Sequence, residues 1–200
     1  MQDQRSIHEF LWLQEVTEVD PSTLGAVMLP VEFTPGFLER GYELGATSPD
    51  DLYTSTDERR FWIAGDVTAK AHVTLKYGLL TPAYEQPNNI RRLLADWECP
   101  AWLPVTGYEL FASPYPDEEY GCIVARIGPV PELTEASGLL SFLPHVDTFT
   151  EPKMHATIAY VKQGQADAWL EYLDTRKIGR DVAVKLNENG RPKLSLGKNK

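Results

Sequence analysis

Cysteine is scarce in this chain, with Cys99 and Cys122 the only two in 200 residues. They match no zinc-ligand spacing and no disulfide framework, and they read as two reduced thiols. Histidine is nearly as rare, at 4 residues. There is no His-x-His, no His-Glu-x-x-His and no Cys pair at zinc spacing, so no metal site and no cofactor is expected. No glycine-rich phosphate loop is present, which excludes a nucleoside-triphosphate motor or kinase of that type. Long apolar runs are missing too. No stretch approaches the ~20 residues that span a bilayer, and no basic-then-apolar segment reads as a leader. The expectation is a cytoplasmic protein with no membrane partner. Positive charge is also short: 19 Lys and Arg face 29 Asp and Glu, for a net charge of −10. Long duplex nucleic acid is held through Lys and Arg on its phosphates, so this balance argues against it as a partner. No motif points to an obligate protein partner. The 42% hydrophobic share still suffices for a core, and the length suits one domain over 1–200.

Against these absences stands one phrase written twice. Lys70-Ala-His72-Val-Thr74-Leu-Lys76-Tyr77 returns 83 residues later as Lys153-Met-His155-Ala-Thr157-Ile-Ala-Tyr160. With 4 His and 15 Thr in the chain, random placement gives about 0.3 His-x-Thr triplets. Two triplets inside a longer match indicate a duplicated unit, with copies at 70–77 and 153–160. Both phrases alternate as strands do, so His72, Thr74 and Lys76 are expected on one face and Val73, Leu75 and Tyr77 on the other. The second copy places His155 and Thr157 together in the same way, against Ala156, Ile158 and Tyr160. Strict alternation therefore sends both tyrosines to the core.

Two imidazoles across a cleft suit transfer of a phosphoryl group between oxygens. One removes a proton from the attacking oxygen and the other protonates the departing one. The hydroxyls can donate to the non-bridging oxygens as charge builds there. His72, Thr74, His155 and Thr157 are thus the candidate catalytic residues. Lys76 is a candidate phosphate contact. Trp102 and Tyr115, placed in loops, are candidate platforms for a base. Lys70 and Lys153 read as exposed strand ends, and His8 and His145 match no motif.

These motifs resemble those of the 2H phosphoesterases, a family named for two His-x-Thr/Ser motifs. Glu151-Pro-Lys-Met-His155-Ala-Thr157-Ile-Ala-Tyr160 is similar to the family's second motif with its lead-in, although Met154 stands where many members carry Pro. Ala71-His72-Val-Thr74-Leu-Lys-Tyr77-Gly78-Leu79-Leu80 resembles the version in phage-encoded members, which include anti-CBASS enzymes that degrade cyclic oligonucleotide signals of antiviral defence. The resemblance implies an α+β, bilobal fold: two pseudo-two-fold-related lobes of antiparallel sheet plus helices around a central cleft. It implies a metal-independent phosphodiesterase acting on a small cyclic nucleotide or an oligonucleotide, in the host cytoplasm if phage-encoded. Opening of a terminal 2′,3′-cyclic phosphate on RNA is the alternative reaction, and a non-catalytic cyclic-nucleotide sponge is the alternative of another class.

Around the motifs the elements alternate. Residues 1–23 read as an N-terminal arm. A strand over 25–33 contains Pro30, which argues for an edge or a bulge. A short helix over 37–44 follows, then a polar stretch over 45–58 that is the best candidate for a loop over the cleft, then a strand over 60–64. A helix is expected over 88–97 with Asn88 or Asn89 as cap. Strands are expected over 106–112 and 121–127, and helices over 133–143 and 166–173. A closing β-hairpin over 181–197 would turn at Asn187-Glu-Asn-Gly190.

Overall fold

The computed structural model describes residues 20, 23–33, 37–45, 48–51, 71–112, 120–147, 153–162, 164–176 and 181–198. Nearly all of the arm over 1–23, the strand over 60–64, Lys70, Tyr115 and most of the polar stretch lie outside these residues. The described chain runs β1 (Gly25–Glu32), α1 (Phe37–Glu43), β2 (His72–Leu79), α2 (Pro87–Leu93) and β3 (Trp102–Ala112). It continues with β4 (Tyr120–Ile127), α3 (Pro131–Leu140), β5 (His155–Lys162), α4 (Ala166–Arg176), β6 (Asp181–Val184) and β7 (Ser195–Lys198). The order is strand-helix-strand-helix-strand, written twice, with one strand appended. The fold is α+β, as the alternating elements suggest, and its sheet is antiparallel, as the resemblance implies.

Strand pairing reveals the duplication more fully than the sequence does. The order β2-β5-β4-β3-β6-β1-β7 carries an additional β1–β2 pairing, so six strands close a circuit. Two contacts in this circuit join equivalent strands: β2 with β5, and β3 with β6. The other contacts fall into equivalent pairs, β1–β2 with β4–β5, and β1–β6 with β4–β3. This is the pattern a pseudo-two-fold produces. Its axis passes through the β2–β5 contact, where Val73 pairs with Ala156, residues that are themselves 83 positions apart.

One face of the circuit is apolar and carries the helices. Val27, Leu29 and Val31 on β1, Val73 and Leu75 on β2, and Ala156 and Ile158 on β5 are all buried. α3 packs against β2, and α4 against β3 and β4. Each helix presents a stripe at helical spacing: Leu133, Ala136 and Leu140 on α3, and Ala166, Trp169 and Leu173 on α4, all buried. Burial of one such large side chain stabilises by roughly 1.5–3 kcal/mol. Trp97 donates its indole N–H to the Glu132 carbonyl at 2.8 Å, tying the segment after α2 to α3. Pro87 and Pro131 occupy the first turn of α2 and α3, where a missing N–H costs nothing. Gln86, and neither Asn88 nor Asn89, is therefore the cap of α2.

Two expectations change in detail. β1 is paired along both edges despite Pro30, because along one edge β7 pairs as far as Met28 and β6 begins at Val31. Pro30 sits in that gap. The closing hairpin keeps its turn, with the Asn187 carboxamide oxygen accepting from the Asn189 and Arg191 N–H groups. Its two strands then part, β6 to β3 and β1 and β7 to β1 alone.

Candidate active site

The two motifs meet at their midpoints. Val73 and Ala156, the central residues of the two triplets, form the antiparallel contact between β2 and β5, and both are fully buried. Antiparallel pairing there sets His72 beside Thr157 and Thr74 beside His155. Since Val73 and Ala156 point to the helix-covered face, the four flanking side chains point together to the other. All four are half-buried. Two histidines and two threonines, far apart in sequence, thus form one compact array about the pseudo-two-fold.

His155 is held in a defined state. Its Nδ1 lies 2.7 Å from the Lys153 carbonyl oxygen. A carbonyl only accepts, so Nδ1 carries the proton and Nε2 is left to exchange one with a ligand. Phe111 on β3 meets the imidazole edge to face, with centroids 4.8 Å apart at 63°. Arg126 pairs with His155 across the β4–β5 ladder and brings a guanidinium to the same region. Glu109 lies 3.6 Å from Arg126 and 3.8 Å from the Lys153 ammonium. Arg126 and Lys153 also border a groove of about 610 Å³ whose other polar walls are Thr106, Thr134, Ser137 and Ser141. Lys153, expected as an exposed strand end, is exposed and joins this charged cluster.

Thr157 has a sulfur neighbour: the Cys122 Sγ lies 3.6 Å from its Oγ1. Burial pushes the Cys122 thiol up, opposed by hydrogen bonds with Thr157 and Tyr160. It remains a neutral thiol at physiological pH, a spacer and weak partner for Thr157 rather than a nucleophile.

The contact with Tyr160 exposes a departure from simple alternation. Opposite β4, Thr157 pairs with Val124 and Ala159 with Ile123, leaving Ile158 as an extra residue. Opposite β1, Thr74 pairs with Met28 and Lys76 with Val27, leaving Leu75 as an extra residue. Each motif strand therefore carries a β-bulge directly after its threonine, at matched positions of the repeat. A bulge shifts the alternation by one. The half-buried Tyr77 and Tyr160 are thereby turned onto the face of the histidines, and the expectation that they enter the core is corrected. Leu75 and Ile158 fill the core instead.

The same bulge moves Lys76 off the face of His72. It sits opposite the fully buried Val27, and its ammonium lies 3.2 Å from the Asp147 carboxylate. His145 belongs to this cluster, its Nε2 3.4 Å from Asp147 and its Nδ1 donating to the Leu143 carbonyl at 2.8 Å. Lys76, the expected phosphate contact, here makes an ion pair that fastens the segment before the second motif to the first motif strand. Trp102 lies in β3, not in a loop, and is 63% exposed. It pairs with Ala183, which pairs with Glu32. Two residues along β1 is Pro30, the partner of His72. Trp102 therefore looks out from the face that carries the histidines, at the far crossing of the circuit. Within the polar stretch, Pro49–Asp51 is docked by the Lys162 ammonium on the Asp50 carbonyl at 2.5 Å and the Trp169 indole on the Asp51 carboxylate at 3.4 Å.

Among the described residues no group of three or more His, Cys, Asp or Glu side chains could hold a metal ion. No helix among them is long and apolar enough to cross a membrane. Phe111, Cys122, Glu109 and Arg126 had no signal in the sequence, since only strand register brings them to the histidines. The tyrosines did have one, their matched place in the repeat.

No family model matches the chain. No curated protein matches it. Among solved structures it is similar to Usb1 of Kluyveromyces marxianus with uridine monophosphate, at a TM-score of 0.47 and 12% identity, over 90% of this chain and 100% of that one. A second structure of the same Usb1 gives a TM-score of 0.45 and 11% identity, over 88% of this chain and 98% of that one.

Proposed function

We propose that this protein is a phosphodiesterase that cleaves nucleotide phosphodiesters by general acid–base catalysis with His72 and His155. The observation that carries the proposal is the Val73–Ala156 contact, which sets the two His-x-Thr triplets side by side on one open face. One imidazole takes the proton of the attacking hydroxyl, and the other gives a proton to the departing oxygen. Thr74 and Thr157 donate to the non-bridging oxygens of the pentacovalent phosphorus. Both histidines act through ring nitrogens alone, so the reading requires no metal.

The substrate we assign is a small cyclic oligonucleotide of the second-messenger type, as the likeness of the first motif to its phage-encoded versions suggests. A ribose 2′-hydroxyl attacks its own phosphorus, a 2′,3′-cyclic phosphate forms, and the 5′-oxygen leaves protonated. A net charge of −10 favours a short ligand held by a few local groups over a long polyanion. The same four side chains would serve water attacking a terminal 2′,3′-cyclic phosphate on RNA.

The test is a panel of cyclic di- and trinucleotides and an oligoribonucleotide ending in 2′,3′-cyclic phosphate, assayed in EDTA with His72→Ala and His155→Ala as controls. Cleavage of the cyclic oligonucleotides, lost in both variants, is the expected result. Turnover of the RNA end alone would reassign the substrate. Tight binding without turnover would make the protein a nucleotide sponge and overturn the enzyme.

A further inference from the structure

The pseudo-two-fold is broken in charge beside the histidines. On β4–β5, Thr157 pairs with Val124 and His155 with Arg126. On β1–β2, Thr74 pairs with Met28 and His72 with Pro30. Arg126 in one half thus corresponds to Pro30 in the other, a cation to a residue with neither charge nor N–H. Lys153, two residues before His155, adds a second cation on the same side. Arg126 lies one strand spacing from His155, about 5 Å, and Lys153 lies three residue steps from Ala156, roughly 10 Å from the centre of the array. Glu109 stands between the two cations, one carboxylate oxygen 3.6 Å from the guanidinium and the other 3.8 Å from the ammonium. Both distances exceed a hydrogen bond, and the buried Oε2 makes none. Glu109 therefore holds the cations by charge and leaves their N–H groups to a ligand. Neither cation has a second acidic partner among the described residues. Two cations against one carboxylate make a net positive patch on a chain of net charge −10.

The groove of about 610 Å³ is bordered by these two cations and walled by α3. Its volume falls within the roughly 300–1,000 Å³ of small-molecule sites. The Thr106 and Ser141 hydroxyls give their protons to the Arg126 and Ser137 carbonyls, at 3.3 and 2.9 Å. Their oxygens remain as acceptors for amino and hydroxyl groups. Gly138, on the α3 wall, has open space where a Cβ would stand. We propose that Arg126 and Lys153 bind a second phosphate, one nucleotide away from the scissile one, and that the groove takes the nucleoside beyond it. The proposal rests on the phosphodiesterase reading and specifies its ligand: a nucleotide chain or ring with a neighbouring phosphate on the His155 side. A cyclic mononucleotide has no such phosphate. On the His72 side Pro30 takes the place of Arg126, so the extension is one-sided.

The experiment compares adenylyl-3′,5′-adenosine with two triadenylates, each carrying one 2′-deoxyribose that leaves a single cleavable linkage. In one the added nucleotide lies on the 5′ side of that linkage, and in the other on the 3′ side. One triadenylate should exceed the dinucleotide in kcat/KM by about 10- to 150-fold, the value of a charge-assisted hydrogen bond, and the other should match the dinucleotide. Arg126→Met should cut the gain to about 2- to 5-fold, what an exposed lysine alone supplies. Arg126→Met combined with Lys153→Met should abolish it. Gly138→Leu, which puts a side chain into the groove, should lower the same gain. Equal gains for both triadenylates, or none for either, would overturn the proposal and leave the phosphodiesterase. A gain that survives the double variant or Gly138→Leu would also overturn it. So would an equal loss on all three substrates in Arg126→Met, since Arg126 would then hold the scissile phosphate. A wild-type protein that cleaves none of the three would overturn the phosphodiesterase, and this proposal with it. Should a variant fold poorly, 1H–15N spectra of His72→Ala protein give the answer. The favoured triadenylate should move the Gly138 and Ser141 amide resonances and the dinucleotide should not; movement by both or by neither would refute the assignment.

Discussion

Replacing Ala156 by Leu strikes the point on which the site depends. Ala156 and its partner Val73 are both fully buried, with no exposed surface into which a larger side chain could turn. Extra carbons in a filled core force side chains and backbone apart, at a cost of about 1–3 kcal/mol. For a domain of this size that corresponds to a fall in Tm of roughly 2–12 °C. A domain holds about 5–15 kcal/mol, so Ala156→Leu should fold at 25 °C. Its activity should suffer more than its stability. The enlarged side chain lies between the two triplets and pushes His72 and Thr74 away from Thr157 and His155, and misplacement by 1 Å can cost about 100-fold. The control is Leu173→Ala on α4, which leaves a cavity against β3 and β4 at about 2–5 kcal/mol without touching the crossing. Melting curves and kcat would be measured for both variants at one temperature below either transition. Ala156→Leu should be folded and about 100-fold slower, and Leu173→Ala less stable with kcat within a few-fold of wild type. A folded Ala156→Leu protein with wild-type kcat would refute the reasoning.

Other outcomes follow from single residues. Gly78 has φ +91, and a Cβ there would run into the Val146 carbonyl, whereas Gly45 at φ +69 has open space around it. Gly78→Ala should lower Tm clearly more than Gly45→Ala; equal melting temperatures would show that the 144–147 segment is not held as described. Cys122→Ala removes the neighbour of the Thr157 hydroxyl and should lower kcat by about 2- to 5-fold, the value of one weak hydrogen bond, with Cys122→Ser restoring it. If Ser and Ala behave alike, the thiol does not position Thr157. Burial first, then the Glu132 carboxylate, pushes the Cys99 thiol up to about 12, and burial with Asp174 pushes the Tyr108 phenol up to about 12. The unfolded chain releases these protons at lower pH than the folded one, so stability should be complete below pH 9 and decline as pH rises toward 12. Urea midpoints from pH 8 to 11 check this, and a curve that Cys99→Ala leaves unaltered would remove Cys99 from the explanation.

The sequence carried the site well because its signal is chemical and repeated. His72, Thr74, His155 and Thr157 needed only period-two alternation to share a face, and alternation holds for four residues. It fails at the fifth. Leu75 and Ile158 are ordinary strand residues in composition, and only the register against β1 and β4 makes them bulges. That is why Tyr77, Tyr160 and Lys76 were each assigned to the wrong face. Trp102 was read as a loop residue because the strand was expected to start only at Thr106, whereas β3 starts at Trp102. Pro104 is tolerated in the β3–β6 ladder, opposite Asp181 at the start of β6. The partners Phe111, Cys122 and Arg126 reach the site across neighbouring strands, and pairing order is not written in local periodicity. The pseudo-two-fold was legible as an 83-residue repeat, but the closure of six strands into a circuit depends on contacts between β3 and β6, two segments with no resemblance to each other.

The account rests on two imidazoles working in opposite protonation states across one phosphorus, and the pH dependence of kcat/KM tests that most directly. The profile of the wild-type protein on its cleaved substrate, in EDTA, should be bell-shaped, because the base must be unprotonated and the acid protonated at once. His72→Ala and His155→Ala should each abolish one limb along with most of the rate. A profile without two limbs, or one whose limbs survive in either variant, would contradict the claim that His72 and His155 form the acid–base pair.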